Sequence, residues 1–242
     1  MMFDKLFEKG SNYHTGEGTL LNGLPWITPG SIYRIEELLC GEVPWTFGNG
    51  DQVNYDWSTW KAPKFKSDFK VLEFGAGGST VFFAKRCGSV ESFEYNASWV
   101  QNVNRRLQED NLTNTEITEC TDGNEMLSYI DELPDEHFDV LLVDNDWKII
   151  DRDAVLVKAI PKLKKDKALI VLDNYGSPAC FPQSHLWSMD EFIATLLDDE
   201  WQGEEFNSIW WGGLGTRIFF KGFFDRHVIK ENAKGSARWF KI

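Results

Sequence analysis

Between residues 69 and 173 the chain alternates short apolar runs with stretches of helical periodicity, and few architectures accept that order. The runs are 70–74 (KVLEF), 90–94 (VESFE), 115–119 (TEITE), 138–144 (FDVLLVD) and 167–173 (KALIVLD). Between them, 79–87, 97–110, 123–132 and 151–164 carry apolar residues at helical spacing. Such alternation predicts parallel strands joined by right-handed crossovers, with helices on both faces of a doubly wound α/β sheet. FDVLLVD and KALIVLD are apolar almost throughout, as central strands covered on both sides must be.

The flanks read differently. After Asp173 a helix pattern (Met189, Phe192, Ile193, Leu196, Leu197) leads into FNSIWW, a glycine-rich turn at 212–215, and TRIFFKGFF. Two β-rich runs around such a turn predict a hairpin. Upstream, 1–68 reads as a helical and irregular extension with one helix signal. Thr28-Pro29-Gly30 opens it, Ile32, Ile35, Leu38 and Leu39 follow at helical spacing, and Gly41 stops it. Residues 41–66 read as a long loop carrying Trp45, Phe47, Tyr55, Trp57 and Trp60, packed on the core or placed as a lid over a site. The expected organisation is therefore an extension (1–68), one α/β domain (69–224) and a C-terminal tail (225–242).

A formal net charge of −13 argues against nucleic acid as a partner, because phosphate binding needs clustered Lys and Arg. The tail, with Arg226, Lys230, Lys234, Arg238 and Lys241 against Asp225 and Glu231, reads as a solvated segment. No apolar run approaches the roughly 20 residues that span a bilayer, and 1–10 lack the apolar core of a signal peptide. Cys40, Cys87, Cys120 and Cys180 stand far apart without a CxxC pair, which suits reduced thiols in a cytoplasmic protein. Oligomeric state is not readable from these features.

The sharpest local motif is Glu73-Phe74-Gly75-Ala76-Gly77-Gly78-Ser79-Thr80, where a strand meets a glycine cluster and a helix begins. Glycines there permit a tight turn and let a ligand approach the backbone. Glu94 ends the next strand, where a carboxylate can accept hydrogen bonds from ribose hydroxyls. The dinucleotide fingerprint would want glycine at position 80, which is Thr80, and Glu73 beside the loop disfavours a pyrophosphate. A ligand with a cationic amino-acid end fits better.

These residues resemble the class I (Rossmann-like) S-adenosylmethionine-dependent methyltransferase superfamily. The resemblance covers about 69–224 and implies a seven-stranded, mostly parallel sheet, with the 216–224 strand antiparallel beside the fifth. It implies that Gly75, Ala76, Gly77, Ser79 and Thr80 form the cofactor loop and that Glu73 orients the ligand's ammonium group. Glu94 would hold the ribose, Tyr95 the adenine face and Asp122 the adenine amino group, with Asp144 facing the transferred methyl.

The ends of the fourth and fifth strands are polar: Asp144-Asn145-Asp146-Trp147-Lys148 and Asp173-Asn174-Tyr175-Gly176. Asp144, Asp173 and Asn174 offer hard oxygen ligands suited to Mg²⁺ or Ca²⁺. This is similar to the cation-dependent catechol and caffeoyl-coenzyme A O-methyltransferases, although their Lys three residues after the metal Asp is Trp147 here, with Lys148 one place later. The alternative is that these side chains cap loops. Lys148 and His185 are further candidates for proton chemistry at an acceptor hydroxyl. The leading function is methyl transfer to a small-molecule acceptor, on oxygen; a non-catalytic adenosyl-binding protein and a nucleic-acid methyltransferase are the alternatives. The last lacks the Asp/Asn-Pro-Pro-aromatic motif, since no proline follows Asp144-Asn145-Asp146.

Overall fold

In the computed structural model, residues 20, 23–40, 67–175, 177–182, 189–207, 215–223 and 238–241 are described. The order begins with α1 (Pro29–Cys40), β1 (Lys70–Phe74), α2 (Gly78–Arg86), β2 (Ser89–Glu94), α3 (Ala97–Glu109) and β3 (Thr115–Glu119). It continues with α4 (Gly123–Glu132), β4 (Val140–Val143), α5 (Arg152–Ala159), a short 3₁₀ turn (Ile160–Lys162) and β5 (Ala168–Tyr175). The last part holds α6 (Met189–Leu196), β6 (Gln202–Asn207), β7 (Gly215–Lys221) and β8 (Arg238–Lys241).

The sheet order is β3-β2-β1-β4-β5-β7-β6-β8. The first five strands pair in parallel, and β7 lies antiparallel between β5 and β6, as expected for the reversed strand. The expected seven-stranded sheet is thus present, with one addition. The tail does not remain wholly outside it: β8 pairs antiparallel with β6, taking up hydrogen-bonding groups that an edge strand otherwise leaves open. The run 151–164, expected as one helix, breaks after Ala159 because Pro161 cannot continue the helical hydrogen bonds. The 41–66 loop, most of the 212–215 turn and the rest of the tail lie outside the described residues.

Alternation along each strand divides the core in two. Val71, Val140, Leu142, Val171, Ile218 and Phe220 face a layer built from α1, α2 and α3. Leu72, Phe74, Leu141, Val143, Leu172 and Phe219 face α4, α5 and α6. Helices on both faces explain why β4 reads VLLV, every residue buried. The extension's helix belongs to the same body: Ile32 and Ile35 are fully buried, the Thr28 N–H donates to the Thr216 hydroxyl (3.1 Å), and Arg34 grips the Glu204 carboxylate through Nε and Nη2. No helix among the described residues is long and apolar enough to cross a membrane.

Because β7 is buried along its whole length, the hairpin is structural rather than a surface ornament. Ile218→Ala removes a fully buried side chain opposite Val171 and is expected to cost about 2–5 kcal/mol in urea unfolding. A loss below about 1 kcal/mol would contradict this placement of β7.

Candidate ligand cleft at the strand ends

The crevice forms where the sheet changes direction. Strands β2 and β3 lie on one side of β1, β4 and β5 on the other, so the chain leaves β1 and β4 toward opposite faces. Ligands bind outside the carboxyl ends of strands at such a point. Here the loops after β1, β2, β4 and β5 enclose a cleft of about 520 Å³, within the usual range for small-molecule sites.

Gly75 closes the inner end. Its φ is +97°, and a Cβ on it would stand 2.6 Å from the Asp144 carbonyl oxygen, so only glycine fits. Gly77 has extended backbone, a Cβ there would make ordinary contact with the Trp99 indole, and α2 begins at the next residue. Its N–H donates to the Thr80 hydroxyl (2.8 Å), which donates in turn to Glu73 Oε2 (2.6 Å). The Ser92 hydroxyl donates to the same oxygen (2.8 Å). Glu73 is 0 % exposed, and burial pushes its carboxyl up to about 7 against the lowering pull of the Ser79, Thr80 and Ser92 hydroxyls. Glu73 and Thr80 therefore sit beneath the loop and brace it; neither lines the cleft, whereas Gly75, Ala76, Gly77 and Ser79 do.

Glu94 lies across from the loop. Its Oε1 accepts the N–H groups of Tyr95 and Asn96, each at 2.9 Å, and the residue lines the cleft. Burial raises its carboxyl above the usual range, opposed by the Asn96, Tyr95 and Ala76 N–H groups. The Tyr95 hydroxyl donates to Asp146 Oδ2 (2.9 Å), joining the loops after β2 and β4. Trp99, anchored by its indole N–H on the Ala76 carbonyl, and the half-exposed Trp26 and Trp147 complete the rim. Asp122 caps α4, accepting the Asn124 and Glu125 N–H groups at 2.8 and 3.0 Å, and does not line the cleft.

The floor between β4 and β5 holds an arginine that the strand-end reading did not include. Arg152 donates from Nη2 to Asp144 Oδ1 (2.8 Å), from Nη1 to the Asp173 carbonyl (2.6 Å) and from Nε to the Asn145 carbonyl (2.9 Å). Asp173 is 4 % exposed and accepts the Thr216 hydroxyl at 3.0 Å. Burial and the neighbouring Asp144 charge push the Asp173 carboxyl up to about 8; burial also raises Asp144, with Arg152 pulling it down. Asn174 lines the cleft in the left-handed region, φ +52°.

This floor does not fit Mg²⁺. The Asp144 carboxylate is already paired with the Arg152 guanidinium and the Asp173 carboxylate accepts the Thr216 hydroxyl, so a second cation here would meet Arg152. Among the described residues no three His, Cys, Asp or Glu side chains form a metal-ligand group. Lys148 is exposed, with its Nζ 5.7 Å from the Trp147 ring centre, and does not line the cleft. His185 lies outside the described residues, as do Trp45, Trp57, Trp60, Trp210 and Trp211. Arg152 carried a sequence signal of its own. A cation at the first position of a helix opposes the helix dipole and calls for a carboxylate partner nearby.

No protein-family model and no curated protein matches the sequence. Solved structures do match the fold. The O-methyltransferase TomG from Streptomyces achromogenes, solved with S-adenosylmethionine, superposes with a TM-score of 0.56 at 15% identity over 91% of this chain and 93% of its own. An O-methyltransferase from Bacillus cereus, solved with S-adenosylhomocysteine, gives 0.55 at 17% identity over 90% and 93%. At these identities the likeness establishes the fold alone, the one these two structures share with this chain.

Glu73 makes stability depend on pH. Its carboxyl titrates near 4.5 when unfolded and about 7 when folded, so the fold retains the proton between those values. The stability carried by the protonated form is complete below pH 4.5 and is lost as the pH rises to about 7. Through this residue the unfolding free energy is expected to fall by on the order of 2–3 kcal/mol across that window. Glu73→Gln should remove that part of the slope. Urea melts of both proteins from about pH 5 to about pH 8 check it, and equal slopes would contradict the assignment.

Proposed function

We propose that this chain transfers the methyl group of S-adenosylmethionine to an oxygen of a small-molecule acceptor. Glu94 carries the reading: a buried carboxylate, one oxygen held by two backbone N–H groups, lining a cleft opposite a glycine loop. The charge of the lining agrees, with Glu94, Asp144 and Asp146 against Arg152. Such a surface favours a cationic ligand and repels a pyrophosphate. The fold and the TomG and Bacillus cereus structures support the same assignment.

When bound, S-adenosylmethionine supplies a sulfonium methyl group open to in-line displacement. The backbone of Gly75 to Gly77, which lines the cleft, would hold its amino-acid end. Glu94 accepts the ribose hydroxyls, and Tyr95, tied to Asp146, borders the adenine. Asp144 faces the acceptor and takes the proton of its hydroxyl as the oxygen is methylated; its burial makes it a stronger base than an ordinary carboxylate. Most of the rate enhancement comes from holding the reactants in line. Cys87, Cys120 and Cys180 are buried, which suits thiols in a reducing cytoplasm.

Calorimetry should detect S-adenosylhomocysteine binding and no comparable binding of NAD. Glu94→Ala should weaken it by about 1.5–3 kcal/mol, the scale of a hydrogen bond to a charged acceptor. Tight NAD binding without adenosyl-ligand binding would sink the reading. Binding without turnover on any small hydroxyl acceptor would favour a non-catalytic adenosyl-binding protein.

A further inference from the structure

Arg152 is buried at the start of α5 and is the one cation among the described residues lining the cleft. Its three hydrogen bonds reach the Asp144 carboxylate and the carbonyls of Asn145 and Asp173, which all belong to the ends of β4 and β5. Of the side chains expected to hold a divalent ion, Arg152 takes the Asp144 carboxylate directly, and it holds the β5 end through the Asp173 carbonyl. An ion at such a site offsets carboxylate charge, orients Asp144 and fixes the spacing of the strand ends. The guanidinium does each of these with a single positive charge in a planar fork. A guanidinium has five N–H bonds, and Arg152, which lines the cleft, commits three among the described residues.

We propose that Arg152 is the resident cation of this site, a positioning residue that replaces a divalent ion between Asp144 and Asp173. The proposal deepens the methyl-transfer reading, since it makes the reaction independent of added metal. It also changes what the acceptor must present. A chelated ion rewards two adjacent hydroxyls, whereas remaining N–H donors ask for one oxygen, so a vicinal pair is not required.

The cation question can be tested without the cofactor, which keeps its failure distinct from failure of the methyl-transfer reading. Mn²⁺ binding is followed by electron paramagnetic resonance in the full chain, with Arg152→Ala, Arg152→Gln and the double variant Arg152→Ala/Asp173→Asn. Wild type should show no bound ion at millimolar Mn²⁺. Both single variants should bind Mn²⁺ at least about tenfold more tightly, because removing a like charge leaves two carboxylates facing one space. The double variant should lose that gain, and methylguanidinium should compete with Mn²⁺ in Arg152→Ala. A merely structural arginine would give destabilised variants with no new ion site. Arg152→Gln guards against a folding failure of the alanine variant. Wild-type Mn²⁺ binding that Asp173→Asn abolishes, or a folded Arg152→Gln without gain in Mn²⁺ affinity, overturns the proposal.

Discussion

The backbone of Gly75 rests against the carbonyl of Asp144 with no room for a Cβ between them, and the cleft depends on that contact. It joins the loop after β1 to the loop after β4 at the point where the sheet changes direction. If the two loops stood further apart, the crevice would open into the sheet and its buried strand ends would meet water. Glycine at a positive φ is the cheapest way to bring two backbones this close. The apolar alternation of β1 and β4 then fixes which side chains face which helical layer, and so which end of the sheet is left to bind.

Two buried acid sites surround this contact and are handled differently. Below the loop, Glu73 has no counter-ion among the described residues; hydroxyls from Thr80 and Ser92 hold one of its oxygens, and its proton stays on to near neutral pH. Beyond the loop, Arg152 sits between the ends of β4 and β5, donating to the Asp144 carboxylate and to the Asp173 carbonyl. A protonated acid supports the loop without adding negative charge to it, while the arginine arrangement keeps polar groups on the cleft floor without leaving them unpaired. Removing one partner of a buried pair costs more than the pair contributes, which is why both arrangements hold as units.

Much of this was legible in the residues. The bounds of β1, β3 and α4 follow directly from periodicity, and the strand–turn–helix at Gly75 to Thr80 identifies the cleft. Glu94 follows from its place at the end of β2. The less legible parts involve groups distant in sequence. Glu73, adjacent to the loop, looks like a ligand contact but points beneath it, because alternation along β1 turns it toward α2. Asp144 and Asp173 look like metal ligands because the side chains that pair with them, Arg152 and Thr216, come from α5 and β7. A tail with spread charges gives no local sign that an open edge on β6 will receive Arg238–Lys241.

The central claim is that the crevice between the β1 and β4 loops is the site for S-adenosylmethionine. A crystal structure with S-adenosylhomocysteine tests it most directly, because it reads position rather than affinity alone. The account predicts the ribose hydroxyls on the Glu94 carboxylate, the amino-acid end over the backbone of Gly75 to Gly77, and the sulfur directed toward Asp144 and Arg152. A ligand bound elsewhere on the molecule, or an adenosine whose ribose does not touch Glu94, would contradict it.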